Sequence, residues 1–225
     1  MCRNDQIPDL LTAAAASLSP GVTLAVVPVT VVSDHQVPAD IRDSSPKRRN
    51  RFAAGRRAAQ QALLLAGYRG CASLEQDPDG LPQWPKGWLG SISHTDTLAA
   101  AAVMATDHAL ATVLGVDLER LMDAATALEI AHDAAPEHVS PRDAPGYATD
   151  ITRIFSAKEA LYKALFPTTR QFREFDAARA VWRGEANATL QLVLTEEWGN
   201  GWSAGTCFDV QQTIIADHIL TVIRR

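Results

Sequence analysis

Cysteine is scarce. The three residues, Cys2, Cys71 and Cys207, lie far apart and form no C-x-x-C pair. That argues against a disulfide framework or a structural zinc site and points to a reducing cytoplasm. Long apolar runs are missing too: none approaches the roughly 20 residues that span a bilayer, so no membrane partner is expected. The apolar stretch Leu10–Leu18 is short and follows Asp5, Pro8 and Asp9 instead of a cationic run, which argues against a secretory signal. Repeats and low-complexity tracts are absent. So is any excess of positive charge: 21 Lys and Arg stand against 26 Asp and Glu, a formal net charge of −5. A general pull on nucleic acid is therefore not expected, and any basic site must be local. There is no G-x-x-x-x-G-K-[ST] loop, which disfavours a P-loop phosphotransferase, and no G-x-S-x-G elbow, which disfavours a serine hydrolase.

What is present suits a folded domain. The 225 residues, 47% apolar and 21% charged, suffice to bury a core. An Ala-rich helix is expected near 9–18 and a strand over Val22–Val32. Pro46 opens a helix to about Ala66, with apolar positions at Phe52, Ala59, Leu63 and Leu64. Asp77–Gly80 reads as a turn. Gly90–His94 and Leu98–Met104 read as tightly joined strands, and Ala111–Glu119 as another. A loop is expected over Asp133–Gly146, then a helix from near Ala148 to Phe166, ended by Pro167. Ala188–Leu194, Thr206–Val210 and Ile219–Ile223 alternate like sheet. Helices and strands mix without a βαβ rhythm. The fold class is therefore α+β (mixed α/β) in two lobes, residues 1–110 and 111–225, divided near Met104–Ala111.

Four groups of residues could carry chemistry. In Gly115–Glu119, strand geometry places Asp117 and Glu119 on one face, about 6–7 Å apart, with Val116 and Leu118 towards the core. Paired carboxylates repel, and a hard divalent cation removes that cost. An acidic solvent-facing strand would give the same pattern. In Phe155–Lys163, Glu159 and Lys163 share a helix face and Lys158 lies to one side. One carboxylate and two ammonium groups suit a phosphate–metal site, although an exposed i, i+4 pair looks the same. Gly90–Thr95 offers hydroxyls and a histidine at a strand end. Ser93 and His94 point to opposite faces there, which makes them a poor nucleophile and base. Lys47, Arg48, Arg49, Arg51, Arg56 and Arg57 crowd one helix of an acidic chain, where they could bind a phosphorylated ligand or form a solvated face.

Taken in order, Gly90-Ser91-Ile92-Ser93-His94-Thr95, Gly115-Val116-Asp117-Leu118-Glu119 and Phe155-Ser156-Ala157-Lys158-Glu159-Ala160-Leu161-Tyr162-Lys163 resemble the 4′-phosphopantetheinyl transferase superfamily. Ala54–Ala59 and Trp84-Pro85 look like its enterobactin- and surfactin-type branch. The resemblance covers roughly residues 48–166. It implies two similar lobes in a pseudo-twofold arrangement, an active site at their junction, and a cytoplasmic monomer. It implies transfer of the phosphopantetheine arm of coenzyme A, the co-substrate, to a serine of an apo acyl or peptidyl carrier protein, with 3′,5′-ADP released. By the same resemblance Asp117, Glu119 and Glu159 hold Mg2+, Glu159 is a candidate base, and Lys163 stands near the coenzyme A phosphates. Lys158 sits in that motif. His94 touches a phosphate with Ser93 beside it, and Arg56 meets the 3′-phosphate with Arg49 and Arg51 in support. Many relatives carry Lys or Arg where this chain has Leu81, so its nucleotide contacts are expected to differ. A module that grips coenzyme A or a carrier without transfer is the competing reading. Another magnesium-dependent phosphotransferase is a third.

Overall fold

A computed structural model of the chain describes residues 6–33, 37–71, 73–106, 112–136, 141–184 and 189–225. The chain divides into two compact units, Met1–Thr112 and Val113–Arg225. Both mix helices with an antiparallel sheet, as the α+β expectation requires. No helix among the described residues is long and apolar enough to cross a membrane.

The first unit holds a three-stranded sheet in the order β1 (Thr23–Pro28), β3 (Leu98–Ala105), β2 (Trp88–His94). Central β3 is buried along nearly its whole length, and its run Ala99–Ala102 is made of small side chains. Small residues on the facing helix let it come close. α3 (Pro46–Leu65) lays Ala58, Ala59, Ala62 and Leu63 against Ala101 and Val103. α3 starts where Ser45 accepts a hydrogen bond from the Arg48 N–H and Pro46 fills the first turn. Leu64 is exposed, contrary to its expected core position: it falls just outside the buried stripe. α1 (Ile7–Leu18) packs on β1, and Thr12 Oγ1 accepts from the Val26 N–H at 3.1 Å. β1 ends at Pro28, short of the expected Val32, because its pairing with β3 ends where β3 begins, at Leu98. The short helix α2 (Ala39–Arg42) precedes α3. The Asp77–Gly80 turn forms as expected, with Asp77 Oδ1 accepting from the Asp79 and Leu81 N–H groups.

The second unit is a five-stranded antiparallel sheet, β4 (Leu114–Arg120), β8 (His218–Arg224), β7 (Cys207–Ile215), β6 (Thr189–Leu194), β5 (Ala178–Arg183). Helix α5 (Tyr147–Thr169) crosses β4 and β8 and buries Ile151, Ile154, Leu161 and Leu165. Full burial of each such side chain stabilises by about 1.5–3 kcal/mol. Pro167 does not end α5. It stands in the last turn, where one missing N–H frees only one carbonyl, and the helix stops at Arg170 in left-handed conformation. The expected loop over Asp133–Gly146 begins inside α4 (Ala124–Ala134), which packs on α5 and is capped by Asp123 accepting from the Thr126 N–H. Residues 137–140, within that loop, lie outside the described residues, as do Ala111 and Ala188 at the starts of two expected strands. β7 runs past Val210 to Ile215 because β8 pairs with its polar half.

Candidate active site

β4 is buried on both faces from Leu114 to Leu118, so it is not the acidic solvent-facing edge that its alternation also allowed. Asp117 is 0% exposed. Gly115 makes that depth possible. A Cβ there would overlap the Ala160 carbonyl oxygen and come within 3 Å of Ala164, so only glycine lets α5 sit this close. Gly115, Asp117 and Glu119 share a strand face, and the Gly115 contacts identify it as the face beneath α5.

Onto this face α5 projects Ser156, Ala160 and Lys163 at helical spacing. Ser156 Oγ and Thr221 Oγ1 share a buried hydrogen bond of 2.7 Å, and Thr221 is the cross-strand partner of Asp117. Gln212 Nε2 donates to the same Thr221 hydroxyl at 3.0 Å and to the Arg153 carbonyl at 2.9 Å. The register of helix on sheet is thus set by hydrogen bonds as well as by shape.

Lys163 Nζ donates to Asp117 Oδ1 at 2.5 Å. Burial alone would lower the Lys163 pKa. The charge of Asp117, its hydrogen bond, and the charges of Glu159 and then Glu119 outweigh burial and raise it. Glu159 is half-buried, and its pKa is raised. Burial is the main cause; Lys163 opposes it and the negative charge of Asp117 adds to it. All three carboxylates therefore act on one ammonium group. Their hard oxygen donors fit a divalent cation, for which one or two protein carboxylates commonly suffice. Among the described residues, no set of three His, Cys, Asp or Glu side chains is close enough to hold a metal ion unaided. Substrate oxygens would have to complete such a site.

Lys158 is 4% exposed and the Lys163 side chain 26%, so the two lysines do not form a solvated helix face. Lys158 and Glu159 line a cavity of about 130 Å³ together with Tyr162, Phe172, Arg173 and Trp198. Tyr162 stacks on Phe166 at 5.0 Å and meets Phe172 edge-on at 5.8 Å. Phe172 remains 64% exposed at the rim. Burial, then the Glu159 charge, raises the Tyr162 pKa, which marks how near the carboxylate lies to the rings.

In the first unit Arg49, Arg51, Arg56 and Arg57 have separate partners. Arg49 donates to the carbonyls of Arg42 and Ser44, bracing the turn before α3. Arg57 donates to the Pro28 carbonyl. Arg56 Nε donates to the Leu74 carbonyl at 3.1 Å, and its guanidinium lies 4.6 Å from the Phe52 ring centre. Burial lowers its pKa, and its Nη2 is buried with no acceptor among the described residues. Such a donor suits an incoming phosphate. Arg51 pairs with Asp96. Ser93 is buried and His94 exposed, on opposite faces of β2 as the strand geometry required. Leu81 lies in the Asp77 turn and is partly buried. Gly90 of β2 packs beneath the Trp84 indole, where a Cβ would collide with the ring.

The residue pattern left several of these partners undetected. Asp96 is one; its place at a tight turn two residues after His94 was the available signal. Phe172, Arg173 and Trp198 are others, because they come from loops beyond the last motif. Ser156 stands within the motif, but Thr221 and Gln212 carry no local mark.

Comparison with known proteins places these residues in a family. The profile of the 4'-phosphopantetheinyl transferase N-terminal domain matches residues 36–104, and that of the 4'-phosphopantetheinyl transferase superfamily matches residues 113–222. Enterobactin synthase component D of Salmonella typhi is 31% identical over 156 residues, 68% of this chain and 63% of that protein. The 4'-phosphopantetheinyl transferase Npt of Nocardia iowensis is 29% identical over 192 residues, 81% of this chain and 85% of that protein. The 4'-phosphopantetheinyl transferase PptT of Mycobacterium tuberculosis is 32% identical over 150 residues, 61% and 60% respectively. The chain thus spans about three fifths of the length of the first and third of these relatives.

Proposed function

The chain belongs to the 4′-phosphopantetheinyl transferase superfamily, and we propose that it moves the phosphopantetheine arm of coenzyme A to a serine of an acyl or peptidyl carrier protein. The observation that carries this reading is the group Asp117, Lys163 and Glu159, brought together where α5 lies on β4. A binding module has no need of a buried carboxylate charge matched by an ammonium group beside a second, more basic carboxylate.

In this reading Asp117, Glu119 and Glu159 would hold magnesium together with phosphate oxygens of the substrate. When bound, the ion supplies positive charge that neutralises phosphate oxygens as the transition state forms. Glu159 takes the proton of the carrier serine as the serine oxygen bonds to the β-phosphorus of coenzyme A. The bond from that phosphorus to the bridging oxygen of 3′,5′-ADP breaks, and the electron pair leaves with the nucleotide. Lys163 stabilises negative charge on the phosphoryl oxygens. His94 and Arg56 hold nucleotide phosphates, with Ser93, Arg49, Arg51 and Lys158 in support. The aromatic cavity beside Glu159 gives the slender pantetheine arm an apolar wall.

Carriers of siderophore and nonribosomal-peptide synthesis are the favoured partners, given the similarity to proteins named enterobactin synthase component D. The chain is taken to act as a monomer in the cytoplasm, where the exposed thiols of Cys71 and Cys207 stay reduced. The test is transfer from coenzyme A bearing a fluorophore on its pantetheine thiol. The label should appear on a carrier with its serine and not on the Ser→Ala carrier. Label on neither, with coenzyme A bound, would leave only a binding role.

A further inference from the structure

The first unit brings its own anion to its basic helix. Lys47 Nζ lies 2.8 Å from Asp96 Oδ1 and 2.9 Å from Oδ2, and the Arg51 guanidinium meets the same Oδ1. Asp96 stands at the tip of the β2–β3 hairpin, two residues after His94. That tip is braced. The Thr95 N–H donates to the Leu98 carbonyl at 2.8 Å, and Thr95 Oγ1 accepts from the N–H groups of Thr97 and Leu98 at 3.2 and 3.0 Å. The carboxylate is therefore held towards α3 by a fixed turn.

Three further arginines of α3 donate to backbone carbonyls. Arg49 donates to Ser44, Arg56 to Leu74 and Arg57 to Pro28. Lys47 and Arg51 differ, since two positive charges there share one negative charge. They occupy the first two turns of α3, where the helix dipole adds positive potential. An anionic ligand reaching that end must displace Asp96 or share the cations with it.

We propose that Asp96 is an intramolecular counter-ion that competes with the phosphates of coenzyme A for Lys47 and Arg51. The inference rests on the coenzyme A reading above. Lys47 and Asp96 are both more than half exposed, so their pair is weak and readily exchanged. A phosphate carrying up to two charges displaces it, yet part of the attraction is spent in doing so. Affinity for 3′,5′-ADP is held down with affinity for coenzyme A, because both present a 3′-phosphate. Asp96 thus tempers anion capture at this end of α3 and favours product release.

The test is calorimetric titration of the full chain with coenzyme A and with 3′,5′-ADP at two salt concentrations. Asp96→Asn keeps the side-chain shape; Asp96→Ser is the second variant should asparagine disturb the turn. Either is expected to tighten both ligands roughly two- to tenfold, with a steeper loss of affinity as salt rises. Arg51→Gln added to Asp96→Asn should abolish the gain. Unchanged or weaker binding in both Asp96 variants, while the unaltered chain binds coenzyme A normally, overturns the counter-ion role. Failure of the unaltered chain to bind coenzyme A overturns the reading beneath it instead.

Discussion

Gly115→Ala tests the link between packing and chemistry. The new Cβ would overlap the Ala160 carbonyl oxygen and crowd the Ala164 nitrogen and Cβ. α5 would have to withdraw by about 1 Å or more to restore ordinary separations. It cannot do so freely, since Ile151, Ile154, Leu161 and Leu165 on the same helix are fully buried. Overpacking of this kind costs about 1–3 kcal/mol. For a chain of this size that corresponds to a melting temperature lower by roughly 3–10 °C. The larger effect is on catalysis. Withdrawal of α5 carries Glu159 and Lys163 away from Asp117, and a misplacement of about 1 Å can cost ~100-fold in rate. The assay pairs thermal unfolding with the rate of carrier modification at 25 °C, where most of the variant remains folded. A variant with unaltered melting temperature and rate would refute the claim that close contact between β4 and α5 builds the site.

Other consequences follow from the same geometry. Lys163→Met leaves the buried Asp117 carboxylate without its ammonium partner, and urea unfolding should show a loss of about 3–5 kcal/mol, part of it restored by magnesium. Equal stability would mean that the ion pair does not form. Glu159→Gln should abolish transfer yet stabilise the metal-free protein at neutral pH. The raised pKa of Glu159 penalises the folded state as pH climbs from the ordinary glutamate range through its folded value, and below that range the penalty vanishes. A variant no more stable than the parent at pH 7 would contradict the raised pKa. Arg56→Ala should weaken coenzyme A about 10–100-fold and dephospho-coenzyme A far less. Equal losses, measured by titration, would count against a 3′-phosphate contact.

Elements whose own residues dictate them were legible in the chain. The Pro46 start of α3, the β2–β3 hairpin and the periodic α5 all carry local signals of helix initiation, turn chemistry or spacing. α4 was missed because its Ala-rich stripe is weak and its stability comes from packing on α5. β5 was missed because Arg179 and Arg183 interrupt a short apolar run whose alternate members, Ala178 and Ala180, are buried. Pro167 misled because proline breaks a helix interior but is tolerated in a last turn. The chemistry-bearing residues of the second unit were visible as a pattern, and their depth was not. Burial of Asp117 depends on Gly115 meeting Ala160, forty-five positions along the chain. The partners Thr221 and Gln212 arrive by sheet pairing, which no local motif records.

The most direct test is the intact mass of an apo carrier protein after incubation with this chain, coenzyme A and magnesium, beside a control with EDTA. A gain of one phosphopantetheine arm in the presence of metal, absent with EDTA and absent in Asp117→Ala, is the predicted result. No gain on carriers of several kinds, by a chain that demonstrably binds coenzyme A, would contradict it.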